Sequence, residues 1–219
     1  MKPFAWLALS LGLALAPGPA WAQQPTPRHA ATLTIDVLDV GQGDAILIRS
    51  PEGKTALIDA GPSRHVVELL KARGIKSLDL VVVSHHHQDH YGGMAAVIRE
   101  FPTRFFLASG SSHTTAHYLR LLELVRERGI QAIQPTDRPR RIELGSVVLT
   151  VFPQAPEDRS EENNNSIGIR LQYGDFSALL PGDAELAERI TWLHWVPTLC
   201  ERCTVLKLAH HGSVRYAAR

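Results

Sequence analysis

Short apolar runs separated by glycine and proline turns make up the first part of the chain after residue 31. Over 32–61, apolar and β-branched positions alternate with polar ones, and Gly-Gln-Gly and Pro-Glu-Gly interrupt the pattern, which predicts a three-stranded β-meander. Helical and strand patterns then alternate. The predicted helices cover 63–73, 94–100 and 117–128, and the predicted strands cover 78–83, 104–108 and 130–133. A meander followed by βα units indicates an α/β domain with mixed sheets.

Strand patterns return in the second half of the chain. Residues 142–152 contain a turn at Gly145, and the polar, acidic stretch after them predicts an exposed loop. A hairpin with its turn at Gly174-Asp175 then ends at Gly182-Asp183. A helix over 186–193 and a short strand over 204–208 complete the predicted elements.

The run Val81 to Gly93, VVVSHHHQDHYGG, places four imidazoles and a carboxylate at the end of a predicted buried strand. Neutral imidazole and carboxylate are both good ligands for divalent metals. His85 and His87 lie two apart and can share one side of an extended segment. Asp89 and His90 follow the bend and can reach a second position. A solvated His-rich loop is the alternative, and the position between a strand and a Gly-Gly turn disfavours it.

Three separate predicted strands end in possible metal ligands. His85 follows one strand, Asp183 follows the second strand of the hairpin, and His210 follows the last short strand. Ligands in open α/β sheets bind at the carboxyl ends of strands. The sequence therefore predicts one metal site at a shared sheet edge.

The first 22 residues predict a secretory signal peptide. Lys2 precedes an apolar stretch over 4–16, and Ala-Trp-Ala before Gln23 fits a small-x-small cleavage site. An uncleaved membrane anchor is the alternative, but the apolar stretch is shorter than the roughly 20 residues that a span needs. Cleavage predicts a periplasmic or secreted protein without a stable membrane span.

A short linker over 23–31 and one domain over 32–219 are predicted after the leader. The 23 basic residues exceed the 22 acidic ones only by Lys2, so the remaining chain is formally neutral and does not predict a surface that coats nucleic acid. Cys200 and Cys203 are the two cysteines, and export favours a disulfide between them, although the ring would be small.

Several stretches together resemble the metallo-β-lactamase superfamily. LDVGQGDAILI, LIDAG, SHHHQDHYGG, NNNSIGIRL, LLPGD and LKLAHHGS occur in this order. The His-x-His-x-Asp-His signature of that superfamily is matched by His85, His87, Asp89 and His90. The resemblance is closest to the hydrolase domain at the C-terminal end of ComEC-type competence proteins, and it covers roughly residues 32–213.

The resemblance implies an αββα sandwich of two mixed sheets flanked by helices, with a dinuclear site for two divalent ions, zinc or manganese. By that resemblance, His85 and His87 would hold the first ion and Asp89 and His90 the second. Asp183 would bridge the two ions, and Asp89 and Asp183 would be the catalytic carboxylates.

The remaining positions are also carried over from the resemblance. A histidine of the pair His210 and His211 would complete the second site, and the choice between them stays open. Asp59 matches the strand-end aspartate that supports the His loop. Asn165 stands where many members carry histidine; an amide oxygen is a harder and weaker ligand than imidazole, which favours manganese or loosely held zinc at the first site.

The resemblance implies a hydrolase that activates water with metal ions and acts on nucleic acid or a small phosphodiester. The alternatives are another hydrolase of this fold, acting on a lactone, thioester or β-lactam, and a vestigial protein without catalysis. The last alternative rests on the short C-terminus, since similar domains continue beyond His-His-Gly-Ser and the second sheet is then expected to be incomplete. No protein partner is predicted.

Overall fold

The computed structural model describes residues 32–112, 114–134, 136–153, 155–156, 158, 161–195 and 203–213. The predicted signal peptide and linker lie outside these residues, as do Cys200 and the last six positions. No helix in the described ranges is long and apolar enough to cross a membrane.

The first sheet has six strands in their order along the chain. They are β1 (Thr34–Val37), β2 (Ile46–Arg49), β3 (Thr55–Ile58), β4 (Leu78–Val83), β5 (Thr103–Ala108) and β6 (Gln131–Ile133). The first three strands pair antiparallel, as the predicted meander requires, and β3 to β6 pair parallel. Four helices lie between the parallel strands along the chain: α1 (His65–Ala72), α2 (Gln88–Tyr91), α3 (Met94–Glu100) and α4 (Ala116–Glu127).

The second sheet has five strands among the described residues, in the order β11-β10-β9-β8-β7. They are β7 (Arg140–Leu144), β8 (Val147–Val151), β9 (Ile169–Tyr173), β10 (Phe176–Leu180) and β11 (Val205–Leu206). Pairing is antiparallel except between β10 and β11, which run parallel. Helix α5 (Leu186–Trp195) lies between β10 and β11 along the chain. Short 3₁₀ turns cover Glu162–Asn165 and Ala209–Gly212.

The central strands of the first sheet are buried on both faces. Leu47, Leu57 and Val81 belong to the core beneath the helices. Ile48 and Val82, on the opposite face, belong to the core between the two sheets. Because side chains alternate along a strand, each central strand contributes to both cores, which explains why these strands read as continuous apolar runs.

Two mixed sheets flanked by helices confirm the predicted fold class. The predicted boundaries hold to within two residues for the helices at 63–73, 94–100 and 117–128. The last predicted strand is shorter than expected, since only Val205–Leu206 pair with β10 before the chain turns toward the His-His pair. The ends of β3, β4, β10 and β11 then define the region where the predicted ligands lie.

Candidate metal centre

Asp59, directly after β3, holds the beginning of the His loop. Its carboxylate accepts hydrogen bonds from the backbone N–H of Ser84 and from the Ser84 hydroxyl, both at 2.7 Å. The third contact is Nδ1 of His90, at 2.8 Å. Asp59 is buried and has a φ of +59°, a left-handed conformation that costs a non-glycine residue about 1 kcal/mol or more. Asp59 thus holds a strained backbone conformation, and its side chain fixes the positions of Ser84 and His90 in the His loop.

The ring of His85 is oriented by the same serine. Ser84 Oγ gives its proton to Asp59 and lies 3.1 Å from His85 Nδ1, so it accepts from that nitrogen and leaves His85 Nε2 without a proton. His85 Nε2 faces His87 Nδ1 at 3.0 Å. Burial holds the pKa of His85 well below its usual range, with the nearby His90 adding to the effect. A neutral imidazole with a free ring nitrogen is the form that binds a metal.

Asp183 follows Gly182 at the end of β10 and is buried among the histidines. Its Oδ2 lies 3.3 Å from His90 Nε2 and 3.2 Å from His211 Nε2. Burial alone would raise the pKa of Asp183, but the neighbouring His211 and His90 rings outweigh it and lower the pKa below its usual range. Asp183 Oδ1 has no hydrogen-bond partner among the described residues.

The structure separates the two histidines that the sequence left open. His211 Nε2 lies 3.2 Å from Asp183 and 3.6 Å from Asp89 Oδ2. Three neighbouring carboxylates, those of Asp183, Asp44 and Asp89, surround the ring and raise the pKa of His211 to about 11. His211 therefore lies inside the cluster of predicted ligands.

His210 points to a different group of residues. Its Nδ1 lies 3.3 Å from Asn163 Nδ2 and 3.9 Å from Glu185 Oε1. Both histidines have positive φ values, 49° and 53°, and this tight left-handed turn sends neighbouring side chains to different sides. The backbone after β11 thus decides which imidazole meets Asp183.

Asp44 is a member of the cluster that the sequence pattern did not predict. One ligand atom from each of four residues lies within 4.8 Å of the others, and the four are Asp44, His90, Asp183 and His211. Asp44 is buried, and burial raises its pKa, but the nearby His211 ring and the Lys207 ammonium bring the pKa below its usual value. The sequence feature that could have indicated Asp44 is its position as an acidic residue directly after Gly-Gln-Gly, at the start of an apolar strand.

Lys207 was not predicted either. Its ammonium lies 2.5 Å from Asp44 Oδ2 and 3.8 Å from Asp183 Oδ1. It also donates to the carbonyl of Gly182 at 3.1 Å. The sequence feature that could have indicated Lys207 is a single lysine between apolar residues, shortly before Ala-His-His.

Asn165 and His86 take part in a neighbouring hydrogen-bond network. Asn165 Oδ1 accepts from the Asp158 N–H at 3.0 Å, and Nδ2 donates to the Asp158 carbonyl at 2.8 Å and to Glu162 at 3.2 Å. The backbone N–H of His86 donates to Glu162 at 2.9 Å, and its ring lies on Tyr118. The side-chain amide of Asn165 is therefore hydrogen-bonded to Asp158 and Glu162. The ring of His86 packs on Tyr118 and is directed away from His85.

The donor set fits divalent cations. Imidazole nitrogens and carboxylate oxygens converge from both sheets, and zinc and manganese accept both kinds of ligand. The orphaned Oδ1 of buried Asp183 supports this, because a buried carboxylate oxygen without a partner is costly unless a cation satisfies it. Among the described residues, Asp183 belongs to the four-residue cluster, and His85 and His87 face each other beside it.

Comparison with known families agrees with this geometry. A sequence model described as "Metallo-beta-lactamase superfamily" matches residues 38–216, most of the chain. Among solved structures, a metallo-β-lactamase from Staphylococcus aureus subsp. aureus COL superposes with a TM-score of 0.57 over 86% of this chain and 58% of that chain. The two are 14% identical, so the likeness concerns the fold alone.

Two longer relatives match the chain over most of its own length. "ComE operon protein 3" of Bacillus subtilis is 27% identical over 200 residues, which cover 82% of this chain and 25% of that protein. "Recombination protein 2" of Haemophilus influenzae is 26% identical over 190 residues, covering 83% and 22%. The chain therefore spans about a quarter of the length of these relatives. A shorter match joins it to "Hydroxyacylglutathione hydrolase" of Vibrio campbellii, 36% identical over 56 residues, 26% of this chain and 22% of that protein.

Proposed function

Because the chain belongs to the metallo-β-lactamase superfamily, we propose that it is a metal-dependent hydrolase that cleaves phosphodiesters, with DNA as the substrate class. The observation that carries the proposal is the four-residue cluster of Asp44, His90, Asp183 and His211, formed where strands of both sheets end. Such a concentration of ligand atoms in a partly exposed position suits catalysis better than structural support.

The residues divide into two groups of ligands. His85 and His87 would hold one divalent ion, and His90, His211 and Asp89 would hold a second, with Asp183 between them. When bound, the two ions would supply Lewis-acid chemistry, polarising water and the phosphoryl group under attack. Zinc and manganese are the ions that this donor set favours.

We assign to the carboxylate of Asp89 the role of orienting the attacking water. Its side chain is 26% exposed, unlike the buried Asp183, so solvent reaches it. The nearby His211 ring lowers the pKa of Asp89 to about 2, and burial opposes this only in part. Asp89 is therefore ionised at neutral pH and can accept a hydrogen bond from a water molecule.

The phosphodiester substrate is supported by the motifs that resemble ComEC-type competence proteins and by the name of one relative, "Recombination protein 2", which the chain matches over most of its own length. The predicted leader would place the activity in the periplasm or outside the cell, where incoming DNA is accessible. The runner-up substrate is a thioester, since one relative is named as a hydrolase of hydroxyacylglutathione. Lactones and β-lactams complete the set of alternatives.

A substrate panel with metal-loaded protein tests the proposal. We expect hydrolysis of bis(p-nitrophenyl) phosphate and of single-stranded DNA, abolished by chelation and by Asp183→Ala. His65→Ala is the matched control, because His65 is an exposed histidine at the start of α1. Turnover of a hydroxyacylglutathione thioester without turnover of either phosphodiester would overturn the substrate assignment.

Metal content separates an enzyme from a vestigial protein. About two ions per chain in the wild type, and fewer in Asp183→Ala, are expected for the two groups of ligands. A folded wild-type protein that binds no divalent ion would contradict the proposal as a whole.

A further inference from the structure

Lys207 brings a positive charge into the centre of the ligand cluster. Its side chain is 17% exposed, and its ammonium contacts Asp44 at 2.5 Å and the Gly182 carbonyl at 3.1 Å. These two contacts use two of its three N–H donors. No third acceptor lies within hydrogen-bonding distance among the described residues, and Asp183 Oδ1 is 3.8 Å away. One donor therefore stays available beside the orphaned oxygen of Asp183.

Around Lys207, the usual arrangement of exposed charged and buried apolar side chains is reversed. Its apolar neighbours Leu206 and Leu208 are 54% and 57% exposed, whereas the charged residue between them is turned inward. Taking an ammonium out of water is unfavourable unless its partners compensate. A lysine that is directed into a cluster of ligands in this way indicates a role in the site.

A role as a simple counter-ion does not account for this lysine. Asp44, Asp89 and Asp183 carry three negative charges, which two divalent ions would already outweigh. The ammonium then leaves the loaded centre with an excess of positive charge. A neutral ester or thioester gains nothing from that excess, but the negatively charged oxygen of a phosphodiester does.

Space for a substrate lies next to Asp44. A cavity of about 370 Å³ is lined by Gly41, Gln42, Gly43 and His211. Gly41 has no side chain, and a Cβ there would meet nothing within 4 Å, so a ligand can approach the backbone closely at this position. Since Asp44 directly follows Gly43 and contacts both Lys207 and His211, the cavity and the ammonium flank the same carboxylate.

We propose that Lys207 is the substrate-selecting residue of this centre: its free N–H donor binds a non-bridging oxygen of the phosphodiester and favours anionic phosphate esters over neutral esters and thioesters. Asp44 and the Gly182 carbonyl hold the ammonium in place for this contact. The inference deepens the proposed function and rests on it.

The first test compares an anionic with a neutral substrate. Lys207→Met is expected to lower kcat/KM for bis(p-nitrophenyl) phosphate by about 10- to 100-fold, the range for a lost charge-assisted hydrogen bond. Hydrolysis of neutral p-nitrophenyl acetate should change by less than about 3-fold. Lys207→Arg should recover part of the phosphodiesterase activity, because it keeps the charge. Lys54→Met is the control, since Lys54 is half-exposed and pairs with Asp79.

A second test measures binding without turnover. The affinity of metal-loaded protein for thymidine 5′-monophosphate, measured by calorimetry against thymidine, should fall about 10-fold or more in Lys207→Met, whereas Lys54→Met keeps it. Metal content and the unfolding temperature are measured on each variant. An equal loss on both ester substrates, or a loss of bound metal in Lys207→Met, would overturn the inference and make Lys207 a support of the metal ligands.

The two proposals fail in different ways. If the wild type hydrolyses no phosphodiester, the proposed function fails. If the wild type cleaves phosphodiesters and Lys207→Met cleaves them equally well, only the role of Lys207 fails.

Discussion

Asp59 and His90 form a buried pair, with Oδ2 of the carboxylate 2.8 Å from Nδ1 of the ring. The opposite ring nitrogen of His90 lies 3.3 Å from Asp183. Burial lowers the pKa of His90, but the charge of Asp59, the hydrogen bond to it and the nearby Asp183 carboxylate outweigh burial and raise the pKa to about 10. The carboxylate behind the ring therefore fixes which nitrogen faces the ligand cluster.

Asp59→Asn is expected to weaken metal binding by about 10- to 100-fold, because the ring of His90 loses its negatively charged partner. Asparagine tolerates the left-handed backbone at this position, so the fold should persist. Competition with a chelator measures the affinity. Asp36→Asn, a change of a partly exposed aspartate on β1, should leave it unchanged. Equal affinities in all three proteins would show that Asp59 does not act through His90.

The two adjacent histidines are expected to respond differently to substitution. His211→Ala removes the proposed ligand beside Asp183 and should lose more metal affinity than Asp59→Asn, together with the proposed hydrolase activity. His210→Ala should keep both, because His210 contacts Asn163 and Glu185 instead. Metal content and activity of the two variants, prepared in parallel, decide the matter. The reverse ranking would contradict the placement of His211 in the centre.

Gly43 is expected to tolerate no side chain, because a Cβ there would overlap the backbone oxygen of Asp89. Gly41 also has a positive φ, but a Cβ at that position would meet nothing within 4 Å. Gly41→Ala should cost about 1 to 2 kcal/mol of unfolding free energy from backbone strain alone. Gly43→Ala should cost about 1 to 3 kcal/mol more and displace the His loop. Urea unfolding measures both, and equal losses would contradict the close approach to Asp89.

Glu188, in α5, gives the stability a pH dependence with a defined sign. Burial raises the pKa of Glu188 to about 10, helped by the charges of Glu185 and Glu162, whereas an unfolded glutamate ionises near 4.5. The folded protein thus keeps a proton that the unfolded chain releases, and stability falls as pH rises from about 4.5 toward 10.

Glu188→Gln removes this penalty. In metal-free protein near pH 8, the variant should melt a few degrees above the wild type, and the difference should vanish at about pH 4. Glu68→Gln, at an exposed position of α1, is the control and should show no difference at either pH. A variant that is less stable than the wild type at pH 8 would mean that the Glu188 carboxylate is ionised and satisfied in the folded state.

The linear pattern of residues was sufficient for much of the fold. The apolar runs at β2, β3 and β4 predicted strands because only a sheet covered on both faces buries consecutive apolar residues, and the resemblance to the metallo-β-lactamase superfamily is confirmed. His85, His87, Asp89, His90 and Asp183 were predicted as ligands because each stands at the end of such a run or within the family signature, and these assignments stay predictions.

Tertiary structure alone decided the rest of the centre. Whether His210 or His211 meets Asp183 depends on two left-handed residues after β11, and a sequence carries no signal for that rotation. Asp44 and Lys207 lie far apart along the chain and meet only because β2 and β11 belong to different sheets whose edges converge. Local patterns determine which segments form strands and helices, since burial and backbone preferences act over a few residues. The partner of a buried charge is set by packing between distant segments, and the sequence does not reveal it.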